Sequence, residues 1–488
     1  MRIGFDPRAG LATNPRSVAK AYKKSRAALG EKLRRLGRNG SYLHDNRPWK
    51  ATPAWQTGVI KNLGNVVVNS AGEMYVAIGI PNPGVTVTGA TEPVHTGSTR
   101  TAWDGTANSS ILWSHVGQYK WTNADDVGAP SVTSTGSANT PGGYTAVPIW
   151  ANRTKFTLRG CEGQEHALSG GVLLHNYYSD ALATPTASRG GGSIVFDSDA
   201  LGCAFGAPNS SQGVTCVVDD RFVTFGALGS QSSIWEQHVV EFAGRGVRRW
   251  EFHFGQSTAA LYRLSLKSTD QIWAVKDELS IGFIGDSWLA GSGNGPYLSG
   301  NVLSEGFGRA VGVPNCRRYA AGGTALYATN GGFYTFRQRL PQVLANNHDV
   351  IVVQGSPNDI TKTHNELYTE ALAFIDTIRN SGSTAPVVWF GPAPLSGNYA
   401  ALQTFDQAVS DAFAARAGKN VKYVSLITSD PPLFQGTHNG GVYLFSNITQ
   451  YIGDDAIHPV DKGTLYVVRR LARLWFDVVI PWMVSDEP

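Results

Sequence analysis

Charge is scarce in this chain: Asp, Glu, Lys and Arg make up only 16% of its 488 residues, and there are 4 cysteines and 3 methionines. Low charge argues against a helix-rich cytosolic protein. With 56 glycines and 10% aromatics it favours strand-rich, glycan-facing or extracellular surfaces. Cys161, Cys203, Cys216 and Cys316 have neither Cys-x-x-Cys spacing nor a nearby histidine pair, which argues against zinc and thioredoxin-type chemistry. A Cys203–Cys216 bridge is the less favoured reading of that pair. No apolar run reaches the roughly 18 residues of a membrane span, so no membrane insertion is expected. The basic N-terminus lacks the apolar core of a secretory signal, so export by that route is not expected. There is no Gly-x-Ser-x-Gly elbow and no His-Glu-x-x-His zinc motif.

What charge there is sits unevenly. Residues 1–40 hold eleven Lys or Arg against Asp6 and Glu31, a balance of +9, which leaves −5 for the rest of a chain of net +4. From Asn14 to Leu36, Val18, Tyr22, Leu29, Leu33 and Leu36 recur at helical spacing. Few aromatics and no nucleic-acid fold accompany these basic residues, so docking to a larger protein assembly is favoured over nucleic acid.

The chain divides by pattern into five stretches. Residues 1–46 read as a basic attachment arm, and 47–121 as a small aromatic β-module with Trp55, Val66–Val68 and Trp113. Residues 122–145, rich in Ser, Thr, Gly, Asn and Pro, read as a linker. Residues 146–278 alternate or run apolar between glycine-rich turns, as in Ser193–Phe196 and Trp250–Phe254, and predict a β-sandwich. That sandwich either grips glycan or buttresses the domain after it, with buttressing slightly favoured. Residues 279–488 alternate apolar strands (Ile281–Ile284, Val350–Val353, Pro386–Phe390) with helices (Glu366–Arg379 and the stretch after His458). This predicts an α/β domain with a parallel sheet covered by helices, with sites gathered at the strands' C-terminal ends.

Four motifs in that last stretch belong together. Gly285-Asp286-Ser287 follows the first strand, Ala321-Gly322-Gly323-Thr324 comes next, Gly355-Ser356-Pro357-Asn358-Asp359 follows another strand, and Asp455-x-x-His458 precedes the last helix. A serine is a poor nucleophile unless a base takes its proton and a third group holds the base in the right tautomer. An ester's tetrahedral intermediate also needs preorganised donors for its oxyanion. Each motif alone is a common turn or cap; in this order they form a coherent set. Over residues 279–488 they resemble the SGNH (GDSL) hydrolase family, whose fold is a three-layer αβα sandwich.

That resemblance implies Ser287 as nucleophile, His458 as base, Asp455 as its orienting carboxylate, and the Gly322 N–H and Asn358 amide as oxyanion donors, without cofactor or metal. Two features depart from the family. The third block carries an extra residue, and bulky Trp288 follows the nucleophile, where the readings are a substrate-binding ring that walls the pocket or stacks on sugar, and a ring packed beneath the turn. Asp286 is expected to be a structural acceptor.

The flanking stretches shape the expected substrate. A β-sandwich joined to such a domain resembles carbohydrate esterases. A basic arm with an aromatic module, patterned like chitin-type carbohydrate-binding modules, looks like phage tailspikes. The expectation is an esterase that removes O-acetyl groups from an acetylated bacterial surface polysaccharide, carried on a virion as a homotrimer docked to tail or baseplate proteins by its N-terminus. The competing readings are a cellular carbohydrate or lipid esterase and a non-catalytic glycan-binding adhesin.

Overall fold

The computed structural model describes residues 15–39, 43, 46–59, 65–79, 87–95, 101–105, 110–118, 124–135, 140–166, 171–175, 192–207, 214–226, 228, 236–254, 260–261, 263–291, 302–330, 332–394, 399–429, 432–434, 451–453 and 457–485. Asp455 lies outside them.

Five short apolar strands form one parallel sheet: β1 (Ile281–Gly285), β2 (Cys316–Ala320), β3 (Val350–Gln354), β4 (Val387–Phe390) and β5 (Val421–Val424). Their order is β2-β1-β3-β4-β5, with parallel register throughout. Successive side chains of a strand point to opposite faces, and here both faces are apolar. Ile281, Phe283, Val350, Val352, Val388 and Phe390 enter one core with Leu303, Phe307, Leu471 and Trp475. Ile284, Ile351, Val353, Val387 and Trp389 enter another with Leu340, Leu367, Phe374, Phe405 and Val409. The helix expected over Glu366–Arg379 spans His364–Asn380, started by a capping box in which Thr363 and Glu366 satisfy each other's backbone N–H.

The N-terminal helix runs from Pro15 to Asn39. Its second half packs along the end of the chain. Arg26, 2% exposed, lies over the Trp482 ring at 4.6 Å and donates to the Ser485 carbonyl at 3.2 Å. A Cβ on Gly30 would stand 2.7 Å from the Met483 Cβ, so only glycine permits this approach. Much of the apolar stripe read from the sequence is therefore spent within the chain.

The small module is a four-stranded antiparallel sheet of Val66–Val68, Glu73–Gly79, Leu112–Gln118 and Thr101–Trp103, in that order. Trp113 is fully buried and donates to the Asp104 carboxylate at 3.0 Å, so it is core and not a sugar platform. From the opposite face Val66, Met74, Val76 and Val116 join the core of the parallel-sheet domain.

Two antiparallel sheets share the next core. One consists of Arg221–Phe222, Val214–Val218, Arg248–Phe254, Gly192–Ser198 and Ile272–Trp273, with Thr157–Arg159 also paired to Gly192–Ser198. The other consists of Ser131–Thr135, Glu236–Glu241, Gly202–Ala207, Arg263–Leu266 and Thr145–Val147. This corrects the linker expected over 122–145. The run Ser131-Val-Thr-Ser-Thr is rich in β-branched residues and pairs along its length with Glu236–Glu241, and the Gly and Pro around it punctuate a strand. Cys203 and Cys216 are buried thiols in this core, and all four cysteines are free.

The first of these sheets alternates between two destinations. Ile194, Phe196, Cys216, Trp250, Phe252 and Phe254 face the shared core. Ser193, Glu251 and His253 point the other way but are at most 2% exposed, because that face lies against the parallel-sheet domain. There Arg159 reaches Glu251 at 3.1 Å and Asp277 at 2.7 Å, while Arg309 pairs with Glu251 and lies 2.8 Å from His253 Nε2. Glu305 lies 3.5 Å from His253 Nδ1. The buttressing expectation fits this buried ionic seam. Replacing Glu251 by Ala removes the carboxylate that Arg159 and Arg309 share, while Arg159 keeps Asp277, and breaking a buried pair costs about 3–5 kcal/mol. Chemical denaturation of the Glu251→Ala protein should show a loss of that order, and an unchanged midpoint would contradict the seam.

Candidate active site

The turn expected to carry the nucleophile is built by an aspartate. β1 is buried throughout and ends at Asp286, the N-cap of a single helical turn, Ser287–Ala290, which Gly291 closes at φ 73°. Aspartate suits this position because its carboxylate takes an otherwise unpaired backbone N–H. Asp286 accepts from the Trp288 N–H at 2.9 Å and, on its other oxygen, from the Ser356 hydroxyl at 2.7 Å. Burial pushes the Asp286 carboxyl above its ordinary range, opposed by those two hydrogen bonds and by nearby His458. Its expected structural role holds. Ser287 is 8% exposed at the start of the turn.

In the third block Ser356 is fully buried, and its hydroxyl caps the 3-10 turn Pro357–Asp359 by accepting the Asn358 N–H at 3.1 Å. One continuous chain thus runs from the Asn358 N–H through Ser356 to Asp286 and the Trp288 N–H. The third block is thereby stitched to the Asp286–Ala290 turn. From the same block, Asn358 Nδ2 donates to the Thr324 carbonyl at 3.2 Å, and Asp359 accepts the Tyr327 and Ala328 N–H groups at 3.1 and 2.8 Å. The third block therefore holds the second. Within that second block Gly322 is partly buried and its carbonyl accepts from Asn330 Nδ2 at 3.4 Å. Gly323 sits at φ 72°, where a Cβ would come within 2.7 Å of Asn330.

Arg339 ties these pieces from beneath, and nothing in the sequence marked it. At 1% exposure it donates to the Gly285 carbonyl at 2.8 Å, the Tyr319 carbonyl at 3.2 Å, the Thr324 hydroxyl and the Tyr334 carbonyl at 2.7 Å. The first three of those acceptors lie at the ends of β1 and β2 and in the second block, and the fourth in the loop before Arg339. A rigid fork of five N–H donors suits such a task, and a lysine ammonium does not reproduce it.

His458 is partly buried, and its backbone is fixed on both sides. Its carbonyl accepts from the Gly453 N–H at 2.7 Å, the Val460 N–H donates to the Tyr451 carbonyl at 3.0 Å, and Pro459 bridges to Ile452. Trp288 corrects the expectation of a substrate-stacking ring. It is 2% exposed, edge-on to Phe434, and its indole N–H donates to the Ile457 carbonyl at 2.9 Å. A ring enclosed in the core has no face left for sugar. Hydrogen bonds thus join the segments of Ser287, Gly322, Asn358 and His458. Among the described residues no group of three or more His, Cys, Asp or Glu is placed to hold a metal.

Replacing Arg339 by Lys should lower stability by about 2–3 kcal/mol, through unsatisfied buried acceptors, and cut ester turnover at least about tenfold through a displaced second block. Thermal unfolding together with ester hydrolysis checks both, and wild-type values for the variant would refute the clamp.

Residues 283–464 match the GDSL-like Lipase/Acylhydrolase family. No curated protein matches the chain significantly. Among solved structures, a family two carbohydrate esterase from Cellvibrio japonicus is similar at 14% identity and a TM-score of 0.46, covering 72% of this chain and 100% of the other. An acetyl xylan esterase from the rumen bacterium Butyrivibrio proteoclasticus is similar at 13% identity and a TM-score of 0.45, covering 69% and 98%. With the family match added to the geometry, the chain carries a GDSL/SGNH hydrolase domain and is a carboxylic ester hydrolase.

Proposed function

We propose that the protein is a serine esterase that removes O-acetyl groups from a bacterial surface polysaccharide. Ser287 Oγ attacks the acetyl carbonyl while His458 takes its proton, and Asp455 holds the imidazole in the competent tautomer. The oxyanion accepts from the N–H groups of Ser287 and Gly322 and from the Asn358 amide, whose other N–H is committed to Thr324. Collapse transfers the acetyl group to Ser287 as His458 returns its proton to the departing sugar hydroxyl. Water, activated by the same imidazole, then releases acetate. The observation that carries this reading is the Asn358–Ser356–Asp286–Trp288 hydrogen-bond chain, which puts the third block and the nucleophile turn in one unit.

The polysaccharide substrate and virion setting rest on the flanking regions. The β-rich stretches are docked to the hydrolase domain, and the composition is poor in charge and rich in glycine and aromatics. Because Arg26 and Leu33 are committed to the chain's own core, attachment to a tail or baseplate is assigned to the residues ahead of Tyr22, which include Arg2, Arg8, Arg16 and Lys20. Three copies would then present three hydrolase domains at the cell surface.

Two measurements test this. Acetate release from acetylated polysaccharides and p-nitrophenyl acetate should fall by at least about 10³-fold in Ser287→Ala and about 10²–10³-fold in Asn358→Ala. Activity indifferent to Ser287 would end the serine mechanism, and turnover of p-nitrophenyl acetate without any polysaccharide would end the substrate assignment. Native mass spectrometry should give a trimer, whereas a strict monomer would remove the spike setting.

A further inference from the structure

We infer that Trp288 is a positioning residue for the base: its indole N–H holds the backbone that carries His458 against the nucleophile turn. The inference rests on the esterase reading above and deepens it. Trp288 directly follows Ser287, and its two N–H groups are used in opposite directions. The backbone N–H goes to Asp286 at 2.9 Å, within the nucleophile turn, and the indole N–H goes to the Ile457 carbonyl at 2.9 Å, one residue before His458. One residue therefore ties together the segments of Ser287 and His458, which are 171 positions apart in sequence.

The ring is itself held. Its centroid lies 6.4 Å from that of fully buried Phe434 at 61°, and Phe434 stacks on Tyr466 at 5.8 Å and 12°. Tyr466 stacks on Tyr451 at 4.1 Å and 10°, and the Tyr451 carbonyl takes the Val460 N–H on the far side of His458. The base is thus bracketed by Trp288 before it and by the tyrosine pair after it. Ile457 is 44% exposed, so its side chain offers this segment little anchorage.

Packing and donation separate cleanly at this residue. Phenylalanine keeps a ring against Phe434 but has no donor. A partly exposed segment lets water satisfy the Ile457 carbonyl, so losing the hydrogen bond should cost little stability. It should cost accuracy, because a shift of about 1 Å in a reacting group can cost about a hundredfold in rate.

The test compares wild type, Ser287→Ala, Trp288→Phe and a protein with benzothienylalanine at 288, whose sulfur replaces the N–H at nearly constant shape. With p-nitrophenyl acetate, both Trp288 replacements should lose roughly tenfold to a hundredfold in kcat, with KM within about twofold and the thermal midpoint unchanged. 5-Fluorotryptophan at 288, which keeps the N–H, should restore kcat. Full kcat in the benzothienylalanine protein would overturn the inference, as would equal losses with 5-fluorotryptophan. If Trp288→Phe fails to fold, the benzothienylalanine protein decides alone. A wild type whose turnover does not depend on Ser287 sinks the esterase reading itself, and the positioning role with it.

Discussion

A single buried guanidinium organises this site. Arg339 cannot shed its charge, so folding proceeds only if the surroundings supply acceptors for its donors. They come from the carbonyls that end β1 and β2, from Thr324 and from Tyr334. Those are the points where two strands give way to the nucleophile turn and the second block. Desolvation makes each unmade bond expensive, so the cation fixes the relative height of the two loops. Asp286 repeats this logic as a buried acceptor, taking hydrogen bonds from Trp288 and Ser356.

The remainder of the chain supports that arrangement from outside. The small module buries Val66, Met74 and Val116 in the same core as Phe307 and Trp475, and the N-terminal helix adds Leu33. The six-stranded sheet turns Glu251 and His253 toward Glu305 and Arg309. A strand has two faces of period two, and here each has a partner: one the second sheet, the other the hydrolase domain. Polar residues on that outer face look solvent-directed in the sequence and are buried in the structure.

Legibility followed the range of the interaction. The apolar runs of the parallel strands, the Thr363 capping box and the Asp286 cap each lie within a few consecutive residues, so these elements could be read directly even though their partners are distant. Ser131–Thr135 was misread because a short, polar, β-branched edge strand differs from a linker only in having a partner, and its partner lies about a hundred residues away. Trp288 was left between pocket and core for the same reason, since its enclosure depends on Phe434 and Ile457. Arg339 gave no signal, because a buried arginine and a solvated one are spelled alike.

By itself the sequence supplied the motifs: Gly285-Asp286-Ser287, Ala321-Gly322-Gly323-Thr324, Gly355 to Asp359 and Asp455-x-x-His458 stand in the order of an acylhydrolase domain, because reactive groups are a property of residue identity. Tertiary structure alone decided what joins the segments of Ser287, Gly322, Asn358 and His458. The Arg339 fork, the Ser356 bridge and the Trp288 donation join atoms that are near in space and distant along the chain. Burial, which gives each of these bonds its strength, exists only once the chain has folded around them.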